Sequence, residues 1–489
     1  MTRCFRSGPT AALSLAGILL SGTATRVCAQ PAASPIAANA DVGGAKRLFS
    51  AWMDGQLAYR GLPGVVVGVV ADQQLVWAQG FGLADVENNV PMSPDTKFRM
   101  ASHSKLFTAT SIMQLRERNK LRLDDRVVQY LPWFKVKPAG EDDGPITIEQ
   151  LLTHASGLPR EAGDHWTTNE FPTADQLRAL MPEREAPYAP QERWKYSNLG
   201  FTVAGMVVEA VSEERWADYV QHHIFDPLAM SSSSVDVDVP GLATGYGRRM
   251  PDGSRLRFPF VDAHGMAAAT GITSTVGDMA KFVSAQFRRG PMGGAQILST
   301  ASLREMHRVR SLENSWSSGT AIGFAVTRVG DKTYVGHSGV YPGHMTQTLI
   351  DLDAKVGVIV LTNAQDSDPA GIAQQLMNSV GTAVAKASSV KPTVVAWDPQ
   401  WERFAGLYRS RGGDWQVIVL DQRLVMLVPN SPTLDGPNPL EPIGGGRFRY
   451  GSRSGGGSVG EVVRFVEQGG RVVRIYIGDS YFERVLALR

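Results

Sequence analysis

The arrangement of hydrophobic and polar positions predicts that strands precede the first long helix. Two runs rich in hydrophobic residues, Val65 to Val70 and Leu75 to Gln79, are separated by the polar triplet Asp72-Gln73-Gln74. Such a pair is typical of a β-hairpin. From Ser102 to Leu121, hydrophobic residues recur at helical intervals without an intervening proline or glycine, which predicts a buried or half-buried helix.

Strand patterns return late in the first four hundred residues. Tyr334 to Val335, Thr346 to Leu352 and Val356 to Leu361 are rich in β-branched and hydrophobic residues. Between them and the first hairpin, residues 121–287 alternate helical stretches with proline and glycine loops. Strands at both ends of a helical middle predict an α+β domain over residues 45–387, with the terminal strands in one antiparallel sheet.

The C-terminal part has a different pattern. Residues 388–399 contain two prolines and two serines with little periodicity, which predicts a linker. Residues 400–489 carry short alternating runs between glycine, aspartate, asparagine and serine turns, which predicts a small β-barrel or sandwich. The predicted strands are Phe404–Tyr408, Trp415–Leu420, Leu424–Val428, Phe448–Tyr450, Val462–Val466, Val472–Ile477 and Tyr481–Val485.

The N-terminal residues have the three parts of a secretory signal. Two arginines precede a short apolar run from Ala11 to Leu20, and the small-residue site Val27-Cys28-Ala29 follows. We expect residues 1–29 to be removed on export and residues 30–44 to form a flexible leader. The apolar run is shorter than the roughly 20 residues that span a bilayer, so we expect no transmembrane segment and a periplasmic or secreted protein.

Composition and charge exclude several classes of protein. Hydrophobic residues make up 43% of the sequence and charged residues 20%, which is typical of a folded globular chain. The net charge of +2 gives no electrostatic reason to bind nucleic acid. Both cysteines, Cys4 and Cys28, lie in the predicted signal, so the mature chain would hold no disulfide and no cysteine nucleophile. His222-His223 lacks a third ligand, and we predict no metal and no cofactor.

The candidate chemistry begins with Ser102 and Lys105. Residues three apart share a helix face, so the lysine amine can reach the serine hydroxyl. A desolvated lysine near another cation can lose its proton and act as a base toward serine. The pattern alone is weak, because it recurs at Ser388 to Lys391 and is typical of an ordinary amphipathic helix start.

Two further patterns follow in order, Tyr196-Ser197-Asn198 and His337-Ser338-Gly339. With Ser102 and Lys105 they resemble the three motifs of the serine β-lactamase and penicillin-binding-protein superfamily. The resemblance is closest to class C β-lactamases, D-aminopeptidases, DD-carboxypeptidases and related esterases. It covers about residues 46–385 and includes the flanking segments Phe98–Ala101, Leu151–Leu158 and Gly271–Thr275.

The resemblance implies a β-lactamase/transpeptidase-like fold and a role for each matching residue. Ser102 would be the nucleophile, Lys105 its activating partner, and Tyr196 a base that also passes a proton to the leaving group. Asn198 would hold the acyl amide of the substrate. His154, in a flanking segment, would have a packing or hydrogen-bonding role. Cationic neighbours, Lys105 among them, would lower the pKa of Tyr196 enough for it to act as a base.

The third motif departs from the family pattern. The resemblance implies that His337 orients Tyr196 or the far end of the substrate, next to Ser338 and Gly339. Backbone N–H groups of Ser102 and Val340 would form the oxyanion hole. Where the family has lysine, histidine is mostly neutral at pH 7, so recognition of a substrate carboxylate should be weaker. In the resemblance, such members are more often aminopeptidases and esterases than potent β-lactamases.

These observations predict an exported serine hydrolase that forms an acyl-enzyme on Ser102. We expect it to cleave amide bonds of short or linear peptides, including peptides with D-residues. The alternatives are a promiscuous esterase, a weak β-lactamase, and a non-catalytic penicillin- or peptide-binding sensor. Residues 400–489 resemble the lipocalin-like β domain of some serine peptidases in the superfamily. The sequence leaves open whether the chain forms a homo-oligomer.

Overall fold

The computed structural model describes residues 35–140, 144–290, 294–389, 397–429, 438–451 and 458–485. The chain divides into two compact units, Met1–Ser389 and Val390–Arg489; we call the first the hydrolase unit, after the activity that the resemblance implies, and the second the barrel unit. The predicted signal, residues 1–29, lies outside the described residues, as does most of the predicted linker. None of the helices in the described ranges is long and apolar enough to cross a membrane.

Helices fill the middle of the hydrolase unit, as predicted. The α-helices are α1 Ala40–Arg60, α2 Ser104–Glu117, α3 Ile148–Leu152, α4 His165–Thr168, α5 Ala174–Leu180, α6 Asn198–Ser212, α7 Trp216–Val220, α8 Ala267–Thr270, α9 Val276–Phe287, α10 Thr300–His307, α11 Pro369–Leu376 and α12 Thr382–Ser388. Short 3₁₀ turns cover Ala101–His103, Val127–Gln129, Met181–Glu183, His264–Met266 and Pro399–Phe404, and π-helical turns cover Gln221–Phe225 and Met377–Gly381.

Strands lie at both ends of the hydrolase unit and throughout the barrel unit. They are β1 Gly64–Ala71, β2 Gln74–Asp85, β3 Val90–Pro91, β4 Phe98–Arg99, β5 Ser234–Val235, β6 Gly245–Arg249, β7 Arg255–Phe258, β8 Ile272–Ser274, β9 Ser311–Leu312, β10 Ser318–Thr320, β11 Ala325–Val329, β12 Lys332–Tyr341, β13 His344–Asp351, β14 Val356–Thr362, β15 Gly406–Ser410, β16 Gly413–Leu420, β17 Arg423–Leu427, β18 Asn438–Gly444, β19 Arg447–Tyr450, β20 Val462–Gln468, β21 Arg471–Ile477 and β22 Ser480–Arg484.

The main sheet joins the two ends of the hydrolase unit. Its nine strands have the order β3-β2-β1-β14-β13-β12-β11-β10-β9, and the paired neighbours are antiparallel. In the centre, Val67 of β1 pairs with Gln79 of β2 on one side and Val360 of β14 on the other. The predicted α+β architecture is confirmed.

Every residue of β1 is buried because both faces of the sheet are covered. Val65, Val67 and Val69 belong to the same core cluster as Phe49 of α1. Val66 and Val70 point to the opposite face and belong to the core that contains α2, α6 and α9. This second core is the layer that supports the candidate site.

The predicted flexible leader is too long by five residues. Helix α1 begins at Ala40, within the predicted leader, because Asn39 accepts hydrogen bonds from the backbone N–H groups of Asp41 and Val42. An asparagine at this position satisfies donors that the first helical turn leaves without partners. The sequence pattern did not indicate this start, because glycines within the helix have low intrinsic helix propensity.

The barrel unit is a closed antiparallel barrel of eight strands in sequence order, β15 to β22. Seven of the eight were predicted. The missed strand, β18, contains Pro439 and Pro442, and proline is unfavourable inside a sheet because it cannot donate a ladder hydrogen bond. Aromatic packing fills the interior, where the rings of Phe404 and Phe465 stack with centroids 4.2 Å apart.

Candidate active site

Ser102 lies in a 3₁₀ turn, Ala101–His103, that leads directly into helix α2. Ala101 has a left-handed backbone with φ of 51°, a conformation that costs a residue with a side chain on the order of 1–3 kcal/mol. Because Ser102 is in the first turn, its N–H has no intrahelical acceptor. The turn therefore presents a hydroxyl and a free backbone donor together.

Lys105 is fully buried beside this hydroxyl. Its Nζ lies 3.0 Å from Ser102 Oγ, 2.7 Å from Asn198 Oδ1 and 2.9 Å from the carbonyl oxygen of Ala269. Burial lowers the lysine pKa well below its ordinary value, although the carboxylate of Glu161 acts in the opposite direction. A neutral amine has two N–H groups, which the two carbonyl oxygens accept, so its lone pair faces the hydroxyl of Ser102.

Tyr196 approaches Ser102 from a distant part of the chain. Its hydroxyl donates a hydrogen bond to Ser102 Oγ at 2.8 Å. Burial raises the tyrosine pKa to about 12, which outweighs the opposing charge of Arg160. The predicted net lowering of this pKa was wrong, because burial of the tyrosine outweighs the charge of its cationic neighbour Arg160. Tyr196 is therefore a proton donor in the resting site.

A buried loop holds Tyr196 in place. The ring of His154 packs on the ring of Tyr196 with centroids 4.3 Å apart, and its Nδ1 accepts the backbone N–H of Ser197 at 3.1 Å. Ser197 caps helix α6 by accepting the N–H of Gly200 at 2.8 Å, and its hydroxyl donates to the carbonyl of Pro159. His154 has the packing and hydrogen-bonding role that the resemblance implies.

Both ends of the Asn198 amide are occupied. Oδ1 accepts from Lys105, and Nδ2 donates to Glu161 Oε1 at 2.5 Å. Glu161 also lies 3.0 Å from His165 Nε2 and 3.3 Å from Arg160 Nε, and its side chain is 15% exposed. Sequence reasoning missed Arg160 and Glu161. They lie just after the flanking segment Leu151–Leu158, but no spacing rule identifies them as site residues.

Strand β12 brings the third motif to the 3₁₀ turn Ala101–His103. A side chain at Gly339 would collide with Thr346 Oγ1 and the carbonyl of Met100, so glycine is needed for this close approach. The N–H of His337 points towards β13, where it donates to Thr348 Oγ1 at 3.1 Å. Backbone groups of a strand alternate between its edges, so the N–H of Val340 points to the opposite edge, which β11 covers only as far as Gly336.

His337 lies on the buried face of β12, while Ser338 and Val340 are exposed. Its Nδ1 lies 2.6 Å from the Ser338 carbonyl oxygen, and its ring lies 5.9 Å from that of His103. Burial, assisted by Lys105, lowers the His337 pKa to about 4. The structure gives this residue a partner other than Tyr196, and it is neutral at pH 7, in agreement with the predicted loss of a fixed cation.

In the described ranges, no group of three or more histidine, cysteine, aspartate or glutamate side chains is placed to hold a metal ion. His222 and His223 both contact Glu214, at 3.1 and 2.9 Å, close to the protein surface.

Comparison with known proteins identifies the family. The family described as beta-lactamase matches residues 49–381, which include Ser102, Lys105, Tyr196 and the third motif. The chain belongs to the β-lactamase family. The hydrolase unit accordingly has the β-lactamase-like fold, and the barrel unit is a separate C-terminal domain.

Three relatives illustrate the similarity of this β-lactamase family member. Protein flp of Staphylococcus aureus (strain MW2) is 31% identical over 35% of each chain, so the match spans about a third of that relative. An octameric penicillin-binding protein homologue from Pyrococcus abyssi is 25% identical, with a TM-score of 0.62 over 89% of this chain and 99% of its own. A D-amino acid amidase from Ochrobactrum anthropi SV3 is 25% identical, with a TM-score of 0.58 over 71% and 100%. Together with the family, these relatives support a serine hydrolase.

Proposed function

We propose that this protein is a serine hydrolase that cleaves amide bonds of short or linear peptides through an acyl-enzyme on Ser102. One observation carries the proposal. Ser102 Oγ lies 3.0 Å from the amine of Lys105 and 2.8 Å from the hydroxyl of Tyr196, which are a base and an acid on either side of one nucleophile. The D-amino acid amidase among the structural relatives supports amide substrates.

Acylation uses the two groups in different roles. Lys105, whose pKa is lowered by burial, acts in its neutral form and takes the proton of Ser102 as Oγ attacks the carbonyl carbon. Tyr196 gives its proton to the leaving nitrogen when the carbon–nitrogen bond breaks. The lysine ammonium then returns a proton to the tyrosine, so the resting state of both groups is restored.

Deacylation runs through the same groups in reverse. Water occupies the place of the leaving amine and loses a proton through Tyr196 to Lys105 as its oxygen attacks the acyl carbon. Lys105 returns this proton to Ser102 Oγ when the ester bond breaks. No separate deacylating carboxylate is needed in this scheme.

The oxyanion formed in both steps needs fixed donors. The N–H groups of Ser102 and Val340 are suited to this task because neither is used within its helix turn or strand pair. Removing one such donor from an oxyanion hole typically costs about 3–4 kcal/mol of transition-state stabilisation. Gly339 maintains the approach of β12 on which the pair depends.

Other activities compete with the peptidase proposal. An esterase would use the same groups, since an alkoxide leaves more easily than an amine. A β-lactamase activity should be weak, because neutral His337 cannot supply a fixed cation for the carboxylate of the drug. A penicillin- or peptide-binding sensor would acylate and then fail to turn over.

Labelling of the nucleophile tests acyl-enzyme formation. Incubation with a fluorophosphonate or a fluorescent penicillin, followed by intact mass over time, should show one adduct on Ser102 and slow release of the penicillin adduct. Ser102→Ala should abolish labelling. Ser388→Ala is a matched control, since Ser388 begins the second Ser-x-x-Lys pattern at the end of α12. Persistent labelling of Ser102→Ala would contradict the proposal.

Replacement of Tyr196 tests the division of roles. Tyr196→Phe should lower peptide turnover by about 10²- to 10⁴-fold, because the leaving amine loses its proton donor. Labelling by a fluorophosphonate should fall much less, since fluoride leaves without a proton. Full peptide turnover in Tyr196→Phe would refute this mechanism.

We also propose that the chain is exported and that residues 1–29 are removed. The order of arginines, apolar run and small-residue site supports this proposal. Mass spectrometry of the mature N-terminus should find cleavage after Ala29. An intact first residue in the recovered protein would contradict export through this signal.

We propose further that the protein assembles into a homo-oligomer. The related protein of Pyrococcus abyssi is octameric, and it matches across nearly the whole of this chain. Light scattering during size-exclusion chromatography should give a mass that is a multiple of the monomer mass. A monomer at micromolar concentration would contradict assembly.

A further inference from the structure

We propose that His103 is a positioning residue that, together with Thr346 and Thr348, holds the backbone N–H groups of Ser102 and Val340 at the spacing that the oxyanion requires. This role rests on the proposed acyl-enzyme at Ser102 and concerns the stabilisation of its transition state. The motif resemblance gives His103 no role.

The imidazole of His103 bridges two threonines of β13. The residue follows Ser102 directly and is completely buried. Its Nδ1 lies 3.1 Å from Thr346 Oγ1, and its Nε2 lies 3.2 Å from Thr348 Oγ1. The two threonines are two positions apart on one strand, so they share a face of the sheet and lie about 7 Å apart. Both nitrogens of one ring can therefore be used at the same time.

Each threonine also contacts one of the two segments that carry the oxyanion donors. Thr346 Oγ1 donates to the carbonyl of Met100 at 3.4 Å, immediately before the 3₁₀ turn Ala101–His103. Thr348 Oγ1 accepts the backbone N–H of His337 at 3.1 Å, on strand β12. The imidazole joins these contacts into one network that ties the turn to the strand.

A single tautomer of His103 satisfies every link of this network. Burial lowers the pKa of His103 to about 3, so at pH 7 the neutral ring has one donor and one acceptor nitrogen. Because the Thr346 hydroxyl donates to Met100, Nδ1–H of His103 donates to Thr346. The Thr348 hydroxyl then donates to Nε2, its nearer acceptor, and not to the His337 carbonyl at 3.4 Å. All donors point in one direction, from strand β12 through the ring to the turn.

The hydrogen bonds of the network lie on both sides of the strained residue Ala101. Its φ of 51° persists only where the surrounding structure enforces it. Met100, before it, and His103, two residues after it, are held by the same hydroxyl of Thr346. These contacts fix the direction of the Ser102 N–H, because this group lies between them in the chain.

Strand β12 is fixed against the same side chains. Gly339 packs against Thr346 and Met100 without room for a side chain. The N–H of the next residue, Val340, is therefore placed relative to the turn. A hydrogen bond weakens steeply when its donor is misaligned, so two donors serve one oxyanion only while both segments keep their places. The oxyanion hole thus depends on His103, although its buried ring acts only through the backbone.

Thr346→Val tests this role, because valine keeps the shape of threonine and removes its hydroxyl. We expect both the fluorophosphonate labelling of Ser102 and the acylation by p-nitrophenyl acetate, measured from the p-nitrophenol burst, to become slower. The expected loss is about 10- to 100-fold, less than the usual effect of deleting one oxyanion donor. The apparent dissociation constant of the ester should change little, since these donors act in the transition state. Thr346→Ser retains the hydroxyl and should recover most of the rate.

Thr110→Val is the matched control for the loss of a buried hydroxyl. Thr110 is also buried, and its Oγ1 donates to the carbonyl of Leu106 at 2.7 Å within helix α2. The substitution should destabilise the protein as Thr346→Val does, which urea unfolding would measure. It should leave the rate of acylation close to that of the wild type.

Replacement of the carbonyl oxygen of the substrate by sulfur isolates the effect on the oxyanion. Sulfur is a weak acceptor of hydrogen bonds, so the wild type should react faster with p-nitrophenyl acetate than with the corresponding thionoester. Thr346→Val should reduce this preference. His103→Phe removes both ring nitrogens and should also reduce it. The double variant should be no slower than His103→Phe alone, because both changes break one network.

The outcomes separate this role from the proposed function. An unchanged acylation rate in Thr346→Val, an equal loss in Thr110→Val, or slower acylation with an unchanged preference for the oxygen ester would overturn the role of His103 and leave the acyl-enzyme standing. If the wild type labels but does not react with the acetate, the labelling rates of the same variants decide. If Ser102 does not label in the wild type, the proposed function fails and this inference with it.

Discussion

The hydrolase unit and the barrel unit differ in what they bury. The hydrolase unit encloses charged and polar side chains, with Lys105 fully buried and Arg99 nearly so. In the described part of the barrel unit, the buried side chains are hydrophobic or aromatic. All nine histidines of the sequence also lie in the hydrolase unit. Since burying a polar group costs free energy unless it is paired, the unit with the paired polar interior is the one whose interior can do chemistry.

Among the predicted changes, removal of the buried lysine should have the largest effect, because it acts on turnover. Lys105→Ala deletes the proposed base and should lower turnover by about 10⁴-fold or more, as loss of one member of a catalytic group does elsewhere. Lys386→Ala is the control. Exposed Lys386 forms an ion pair with exposed Asp41, and its removal should leave turnover unchanged. Steady-state kinetics would decide, and a variant at Lys105 that retains a tenth of wild-type turnover would contradict the assignment.

Acidification should destabilise the hydrolase unit selectively. Burial lowers the pKa to about 3 for His103, His307 and His344, and to about 4 for His337. Their unfolded pKa is about 6.5, so the unfolded state binds protons first as the pH falls below that value. Each residue should then cost on the order of 1 kcal/mol between pH 7 and 5.5, while above pH 7 the effect is absent.

Urea unfolding followed by hydrogen exchange of peptides from each unit would measure this acid effect. The barrel unit has no histidine, so its unfolding free energy should change little between pH 7 and 5.5. His307→Gln removes one titrating group that lies away from Ser102. The pH dependence of the unfolding free energy of the hydrolase unit should then decrease by the contribution of one proton. An equal slope in both units would show that the buried histidines are not responsible.

A cavity in the barrel core should affect packing alone. Phe404 is buried and stacked on Phe465, so Phe404→Ala should reduce the unfolding free energy of the barrel by about 3 kcal/mol. Val459→Ala, at a half-exposed turn position, should cost well below 1 kcal/mol. Hydrogen exchange of barrel peptides gives the comparison, and equal protection in the two variants would contradict the predicted core.

Loss of a tyrosine hydroxyl in the barrel unit should have the smallest effect. Tyr408 donates a hydrogen bond to the carbonyl of Phe404 at 2.7 Å within the buried interior. Tyr408→Phe should lower barrel stability by about 1 kcal/mol, the usual net worth of such a bond. Tyr196→Phe loses the same hydroxyl but should act on turnover. A change in turnover caused by Tyr408→Phe would contradict the prediction that this hydroxyl contributes to stability and not to activity.

The fold was largely predictable from local patterns. Strand periodicity identified the sheet ends and most of the barrel, because a strand with one buried face must alternate and one with two must be continuously hydrophobic. Strand β18 was missed because its prolines contradict the usual preference, and the start of α1 was missed because glycines conceal it. In both cases a contact made by the folded chain overrides a local preference.

The sequence by itself determined the pairing of Ser102 with Lys105 and the order of the three motifs, because residues three apart meet within one helix turn. Only the tertiary structure decided which groups surround them. The Tyr196 and Asn198 contacts to this pair span more than ninety residues of chain. Glu161 joins the site through its hydrogen bond with Asn198. Protonation also depends on this assembly, since burial lowers the pKa of Lys105 well below its ordinary value and raises the pKa of Tyr196 to about 12. Desolvation arises from the surrounding fold, and no short segment of the sequence can encode it.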